Sequence, residues 1–308
     1  MARFDRILCP VDKSDFSVRA LQYAVALQQS YRAELTVLTV RPREIPPALW
    51  TEYPVAPPVN PMDPEVEEAE LRGFIHRAVG AALAKVSVRE GFVSQEILQA
   101  ARETPADLIV MGTHGASGFE RWLLGSVAEN VLRHAACPAL TVPPSAAEPP
   151  DAPAAPFKTI LCAIDFSRDS QRALVAAQDL ARAGGGRLVV VHALEHLAGE
   201  SPALVAHFNV AEFRRTLERD ARQRLEELLP LATRAECNTS VILAEGKASR
   251  EVLRAATAHE ADLIVLGVHG RNALDLALFG STTRHLLHRA TVPVLTVPRD
   301  VQAAAAAA

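Results

Sequence analysis

The chain is one unit written twice, and that duplication limits what it can fold into. "RILCPVDKSDFSVRAL" from Arg6 is echoed by "TILCAIDFSRDSQRAL" from Thr159, which sets Asp12 against Asp165. "DLIVMGTHG" from Asp107 returns as "DLIVLGVHG" from Asp262, and "CPALTVP" from Cys137 returns within "TVPVLTVP". From these aspartates onward the copies run 155 residues apart (262 less 107). A repeat of this length is a domain, so the chain divides into two like domains at 1–143 and 157–299. Between them, 144–156 is rich in Pro and Ala. Six of the 21 prolines fall from Pro143 to Pro156, a composition that reads as a semi-rigid extended linker. The Ala-rich end, 300–308, reads as a disordered tail.

Within each copy, strand and helix signals alternate. "RILCPV" is a short apolar run closed by the polar turn "DKSD", and "SVRALQYAVALQQ" has helical period. "ELTVLTV" is apolar on both faces, as a strand covered by helices on both sides must be. A second helix begins near Asp63, with Pro64 and three glutamates in its first turns. "LAKVSVRE", "DLIVMG" and "PALTVP" complete five strands, with a helix over "SQEILQAARE". Such alternation predicts an α/β fold of two tandem doubly wound, Rossmann-like domains. Each would be a five-stranded, mainly parallel sheet with helices on both faces. The copies differ most between Pro42 and Pro64, where the first holds eight prolines and reads as a loop. The second has "AEFRRTLERDARQRLEELLP" instead, whose Phe213, Leu217, Ala221, Leu225 and Leu228 form one apolar stripe facing the core.

A formal net charge of −4 provides no global basic field for nucleic acid. No apolar run approaches the ~18–20 residues of a membrane span, and the first residues do not read as a secretory signal. The expected location is therefore cytoplasmic. The four cysteines have no paired spacing, so neither a disulfide framework nor a zinc site is expected.

"GTHGASGFERWLLGS", from Gly112, has its counterpart in "GVHGRNALDLALFGS", from Gly267. Both read Gly, two residues, Gly, nine residues, Gly-Ser. In an open α/β sheet, ligands bind beyond the carboxyl ends of the strands, and Gly112 follows the fourth strand there. Small residues at such a place let backbone N–H groups approach a ligand. "SVAE" reads as a capping box with Ser126 as N-cap and Glu129 behind it. A helix start there presents amides and partial positive charge to phosphate. Asp12 and Asp165 end the first strand of each copy at the same edge, where a carboxylate could accept from ribose hydroxyls. Turn chemistry alone would also explain glycine after a strand and serine before a helix. The preserved spacing in two copies, each with its upstream aspartate, favours a phosphate cradle. His114 and His269 precede a glycine in each copy but have no second ligand at a metal-like spacing, so no metal site is assigned.

At these residues the sequence resembles the ATP-binding branch of the universal stress protein family, in a tandem-domain form. The resemblance covers nearly all of the chain outside the linker, the Pro-rich insertion and the tail. It implies ATP, accompanied by Mg2+, in each copy. By that alignment Asp12 and Asp165 face ribose, Val40 and Ala193 offer backbone to adenine, and Met111 and Leu266 lie beside the first glycine. Gly112, Gly115, Gly125, Ser126 and Val127 would hold phosphates in the first copy. Gly267, Gly270, Gly280, Ser281 and Thr282 would do so in the second. The resemblance further implies that the last strands of the two copies pair within the chain, through Leu140 and Val142 against Leu295 and Val297. A homodimer is left open, and no nucleic-acid or membrane partner is expected.

The copies depart from each other inside the motif. Gly118 and Arg121 stand where the second copy has Ala273 and Leu276, Ala116 faces Arg271, and Glu129 faces Arg284. The two sites are therefore expected to differ in affinity. The leading functional expectation is an ATP-binding, stress-response regulator whose nucleotide occupancy modulates conformation or partners. The alternatives are a slow ATPase or autokinase, and a scaffold that binds no nucleotide. Neither glycine stretch has the lysine of a Walker A loop, which argues against vigorous hydrolysis.

Overall fold

A computed structural model of the chain describes residues 4–43, 63–80, 84–113, 124–150, 156–195, 210–268 and 280–299. The first half runs β1 (Arg6–Pro10), α1 (Asp15–Tyr31), β2 (Glu34–Pro42), α2 (Pro64–Val79), β3 (Ala84–Gly91), α3 (Val93–Glu103), β4 (Leu108–Gly112), α4 (Ser126–His134) and β5 (Ala139–Val142). The second half repeats it: β6 (Thr159–Ala163), α5 (Arg168–Gly184), β7 (Arg187–Leu194), α6 (Val210–Leu228), α7 (Leu231–Glu236), β8 (Ser240–Glu245), α8 (Ala248–Ala258), β9 (Leu263–Gly267), α9 (Ser281–Arg289) and β10 (Val294–Val297).

The ten strands among the described residues lie in one sheet, ordered β3-β2-β1-β4-β5-β10-β9-β6-β7-β8. Each half is parallel and doubly wound, and alternate side chains along each strand enter opposite cores. In β4, Leu108 and Val110 join the layer that holds Leu21 of α1, Leu71 of α2, Ala173 of α5 and Leu225 of α6. Ile109 and Met111 join the other, with Ile97 of α3, Val131 of α4, Val252 of α8 and Leu286 of α9. Both cores run through both halves.

The halves meet where β5 and β10 pair antiparallel, with Leu140 opposite Leu295, Thr141 opposite Val294 and Ala139 opposite Thr296. Both leucines are 2% exposed. The two threonines are as deeply buried, so their hydroxyls need acceptors. Thr141 Oγ1 donates to the Val294 carbonyl at 3.1 Å, and Thr296 Oγ1 donates to the Ala139 carbonyl at 3.1 Å. The seam thus has an approximate two-fold arrangement of hydrogen bonds beyond the ladder itself.

A second paired device holds the amino edge of the sheet. The Asp107 carboxylate accepts from the Asp5 amide at 2.7 Å and the Arg6 amide at 3.1 Å, which ties β4 to the start of β1. Asp262 does the same with Lys158 at 2.7 Å and Thr159 at 3.1 Å. Burial pushes both carboxyls above their usual range, although the amide bonds pull the other way.

The start of the linker is docked, where its composition reads as an extended spacer. The Ala146 amide donates to the Pro143 carbonyl at 3.0 Å, and Ala146 is buried. Tyr23 of α1 donates its hydroxyl to the Ala147 carbonyl at 3.2 Å, and Arg19 pairs with Glu148 at 3.0 Å. Tyr23 also stacks on Phe157, with ring centroids 5.9 Å apart. Alternating small and Pro residues gave this segment its extended character, and a buried tyrosine supplies the anchor.

The α6 stripe also needs correction. Ala221 and Leu225 are buried, but Phe213 and Leu217 are exposed at 38% and 39%. Only the C-terminal half of the helix reaches the sheet, where it meets β7 and β8. The Asp63 side chain caps α2 by accepting from the Glu65 amide at 3.0 Å. No described helix is long and apolar enough to cross a membrane.

Two expectations follow. Leu140→Ala or Leu295→Ala removes seam contacts that each leucine makes to both halves. Each should lower unfolding free energy by ~2–5 kcal/mol in urea titration. Since the residues touch, the double variant should depart from additivity by ~0.5–3 kcal/mol. The cysteine thiols should also resist alkylation. Cys9 and Cys162 are fully buried and burial holds their thiols protonated, while burial and the nearby Asp107 push Cys137 up to about 12. Mass spectrometry after iodoacetamide treatment at about pH 8 should find these three unmodified in the native chain and fully modified in urea.

Candidate functional site

Each half presents the carboxyl ends of its strands on one edge, and the candidate residues gather there. The end of β1 is drawn onto β2 by the Val11 amide donating to the Leu38 carbonyl at 2.8 Å. Its counterpart, Ile164 to Val191, spans 2.9 Å. Asp12 follows at once. Its Oδ1 accepts from the Ser14 amide at 3.1 Å and hydroxyl at 2.5 Å, and Asp165 accepts from Ser167 at 3.0 and 2.6 Å. These are Asx turns, which fix the carboxylates on the edge. Asp12 is exposed and Asp165 half-buried.

The residue after each aspartate has a left-handed backbone: φ is +60° at Lys13 and +66° at Phe166. Such a conformation is uncommon for a non-glycine residue and is an outlier for a bulky one, so each half holds local strain at the same place. Both residues grip the next crossover helix on their side of the sheet. Lys13 Nζ donates to Glu67 at 2.9 Å and Glu70 at 2.7 Å, both on α2. Phe166 lies 4.1 Å beneath the Arg224 guanidinium of α6 and 4.5 Å from the His192 ring. Sequence reading missed this pair, because a lysine and a phenylalanine share no pattern. The only available signal was position, since each stands next to a repeated aspartate.

Val40 sits near the end of β2, half-buried against the layer of α3 and α4, and Val127 packs on the same layer. Ala193 is the half-buried counterpart on β7, paired with Ala244. Met111 and Leu266 are buried in that same layer, so their side chains serve the core. Gly112 and Gly267 close β4 and β9, opposite Val142 and Val297. Gly267 has a packing reason of its own. A Cβ there would stand 2.7 Å from the backbone carbonyl carbon of Asp169, in the first turn of α5. Absence of a side chain lets α5 lie against β9, whatever else the residue does.

Both glycine-rich loops are pinched at the base. The Gly125 amide donates to the Thr113 carbonyl at 2.8 Å, and the Gly280 amide donates to the Val268 carbonyl at 3.4 Å. In the second half Thr283 Oγ1 adds contacts to the Gly267 and Val268 carbonyls at 3.2 and 3.3 Å. Strand end and helix start are thereby held together. Gly115, Gly270, His114, His269 and the residues that differ inside the loops lie outside the described residues.

The capping box read at Ser126 does not form. Gly125 is the N-cap, with extended backbone at φ −59° and ψ 141°, and Ser126 is the first residue of α4. The helix starts one residue early because the Gly125 carbonyl already accepts the first intrahelical bond, from the Glu129 amide at 2.9 Å. Glu129 is left a residue too far along, and it pairs with Arg133 instead. Ser281 begins α9 in the same way, after Gly280. Neither helix start carries a side-chain cap, and both serines are exposed. The first-turn amides of α4 and α9 are therefore presented at the edge with the positive end of the helix dipole, an arrangement suited to an anion. Val127 and Thr282 are the second residues of these helices. No group of three or more His, Cys, Asp or Glu among the described residues could hold a metal ion.

Comparison with known proteins agrees with this architecture. The model of the universal stress protein family matches residues 3–143 and again 156–298. A universal stress protein of Mycobacterium tuberculosis is 32% identical over 194 residues, which span 62% of this chain and 61% of the relative. One of Thermus aquaticus is 36% identical over 141 residues, 46% of this chain and 98% of that protein. The match therefore spans about three fifths of the mycobacterial relative's length. Among solved structures, a universal stress protein of Archaeoglobus fulgidus superposes with a TM-score of 0.63 at 23% identity, covering 96% of this chain and 99% of that one. That likeness speaks to the fold. With matches across both halves, the chain belongs to the universal stress protein family and carries two of its domains in tandem.

Proposed function

We propose that each half binds one ATP at the carboxyl edge of its sheet, and that occupancy, rather than turnover, is the output in a stress response. The observation that carries this reading is the pinched loop, present in both halves. It sets an uncapped helix start beside a strand-end glycine. Phosphates would lie against the first-turn amides of α4 and α9, which supply donors and partial positive charge without a lysine. Asp12 and Asp165, fixed by their serines, would accept from the ribose hydroxyls, with the backbone at Val40 and Ala193 toward the base. Mg2+ would enter with the phosphates and offset their charge.

The left-handed residues give occupancy a route to the surface. Lys13 and Phe166 each join a nucleotide-facing aspartate to a crossover helix. A shift at either aspartate would be felt at α2 or α6, where a partner could read it.

Calorimetric titration with ATP, with a melting curve on each variant, tests the reading. Gly115→Val or Gly270→Val should leave a folded protein that binds about one ATP fewer, because a branched Cβ blocks backbone approach. The double variant should bind none, and full stoichiometry in that folded variant would overturn the reading. Gly267→Ala should behave differently. Its Cβ collides with α5, so it should cost ~1–3 kcal/mol of stability before any ligand is added.

A further inference from the structure

The two edges have the same backbone and opposite charge. On α3 and α4 stand three glutamates and two arginines, a formal charge of −1. On their counterparts α8 and α9 stand four arginines and one glutamate, a formal charge of +3. The change is concentrated at the site end of these helices. At the 155-residue spacing, Phe92 becomes Lys247, Gln95 becomes Arg250, Glu129 becomes Arg284 and Asn130 becomes His285.

Lys247 and Arg250 from the start of α8 stand near enough to His285 of α9 to act on its charge, and Arg284 precedes it in the chain. Lys247 is the N-cap residue of α8 and Arg250 its third residue, while Arg284 and His285 follow the first turn of α9. Partial burial pushes the His285 imidazole down, and the positive charges of Lys247, Arg289, His288 and Arg250 add to the effect. Lys247, Arg250 and Arg284 are exposed. Among the described residues none of the four forms an ion pair, whereas Arg254 on the same helix is bonded to Glu251 at 2.6 Å. Cations near a helix N-terminus oppose the dipole, and α9 has no acid in its first turn to offset Arg284. By itself this arrangement is electrostatically unfavourable, and an anion would relieve it.

Two further observations point to an anionic ligand. Ser249, second residue of α8, is 1% exposed, and its hydroxyl has no hydrogen-bond partner among the described residues. The first amide of α8, at Ala248, already holds a carboxylate: Glu195 Oε1 accepts from it at 2.9 Å. That acid directly follows the end of β7, two residues beyond Ala193. The corresponding residue of the first half is Pro42, which offers no such group.

We propose that the second-half edge is a charge-reading oligophosphate site. It takes a triphosphate chain in its fully ionised form, with Lys247, Arg250 and Arg284 supplying countercharge that their first-half counterparts lack and the His285 imidazole offering a ring N–H. This deepens the nucleotide reading and rests on it for the position of the phosphate chain. The chain could belong to a nucleoside triphosphate or to inorganic polyphosphate.

The test titrates the full chain, without added divalent cation, with sodium tripolyphosphate and separately with ATP at ~50 and ~200 mM salt. A swap variant replaces the four residues by their first-half counterparts: Lys247→Phe, Arg250→Gln, Arg284→Glu and His285→Asn. The native chain should bind tripolyphosphate at one site, with affinity falling steeply with salt. The swap should weaken that site roughly tenfold or more and flatten its salt dependence. If the swap melts early, Lys247→Gln with Arg250→Gln, both at exposed positions, should show a smaller change in the same direction. ATP binding tighter than tripolyphosphate at the swap-sensitive site assigns it to a nucleotide. Equal affinity assigns it to the phosphate chain alone, and both results uphold the proposal. Failure of the native chain to bind tripolyphosphate overturns it, as does an affinity and salt dependence unchanged in the folded variants. Two equivalent ATP sites of equal salt dependence sink this inference and leave the nucleotide reading standing. Tripolyphosphate binding without ATP at either half does the reverse.

Discussion

Everything in this structure hangs on the antiparallel pairing of β5 with β10. Each strand is short and buried, and each would be an apolar edge if its half stood alone. Pairing turns two edges into the interior of a ten-stranded sheet and lets the two core layers run from one half into the other. It also fixes the direction of both sites. An antiparallel seam between parallel halves makes the carboxyl edges of the two halves face opposite ways along the strands. The two glycine loops therefore belong to opposite edges of the sheet, and the contact between halves runs through such links as the Leu124 amide donating to His288 Nδ1 at 3.2 Å.

Much of this was legible in the sequence because duplication filters out chance. A single glycine after a strand says little, but Gly112 and Gly267 with equal spacing to Gly125 and Gly280 mark a common backbone. The strand and helix alternation was equally plain, since buried parallel strands carry apolar residues on both faces. The details that escaped are those decided by one hydrogen bond or one turn of helix. Ser126 and Gly125 could each have served as N-cap, and the bond from the Glu129 amide to the Gly125 carbonyl decides it. The α6 stripe has the period of a core helix along its length, yet packing takes up Ala221, Leu225 and Leu228 and leaves Phe213 and Leu217 exposed. Gly267 reads as a ligand residue by its motif, and its contact with α5 is invisible without the fold.

The left-handed residues show a different limit. Lys13 and Phe166 occupy one conformation with unlike chemistry, an ion pair in one half and a cation–π contact in the other. Comparing the copies residue by residue would score this position as unrelated. What persisted was a mechanical role: the turn after the aspartate is fastened to the crossover helix. Selection on geometry leaves side-chain identity free wherever two kinds of contact can hold the same strain.

The docked linker has a consequence for how the molecule can change. With Tyr23 and Arg19 holding its first residues to α1, the tether between the halves is shorter in effect than its residue count. Their encounter is intramolecular, at an effective concentration set by that tether, so dilution in the cell cannot separate them. In a two-fold assembly of identical chains every substitution occurs twice, and a change that favours one site is imposed on the other. Covalent joining removes that obligation. Each half is inherited as its own lineage of residues, free to drift in charge and crossover length while its partner keeps the sheet closed.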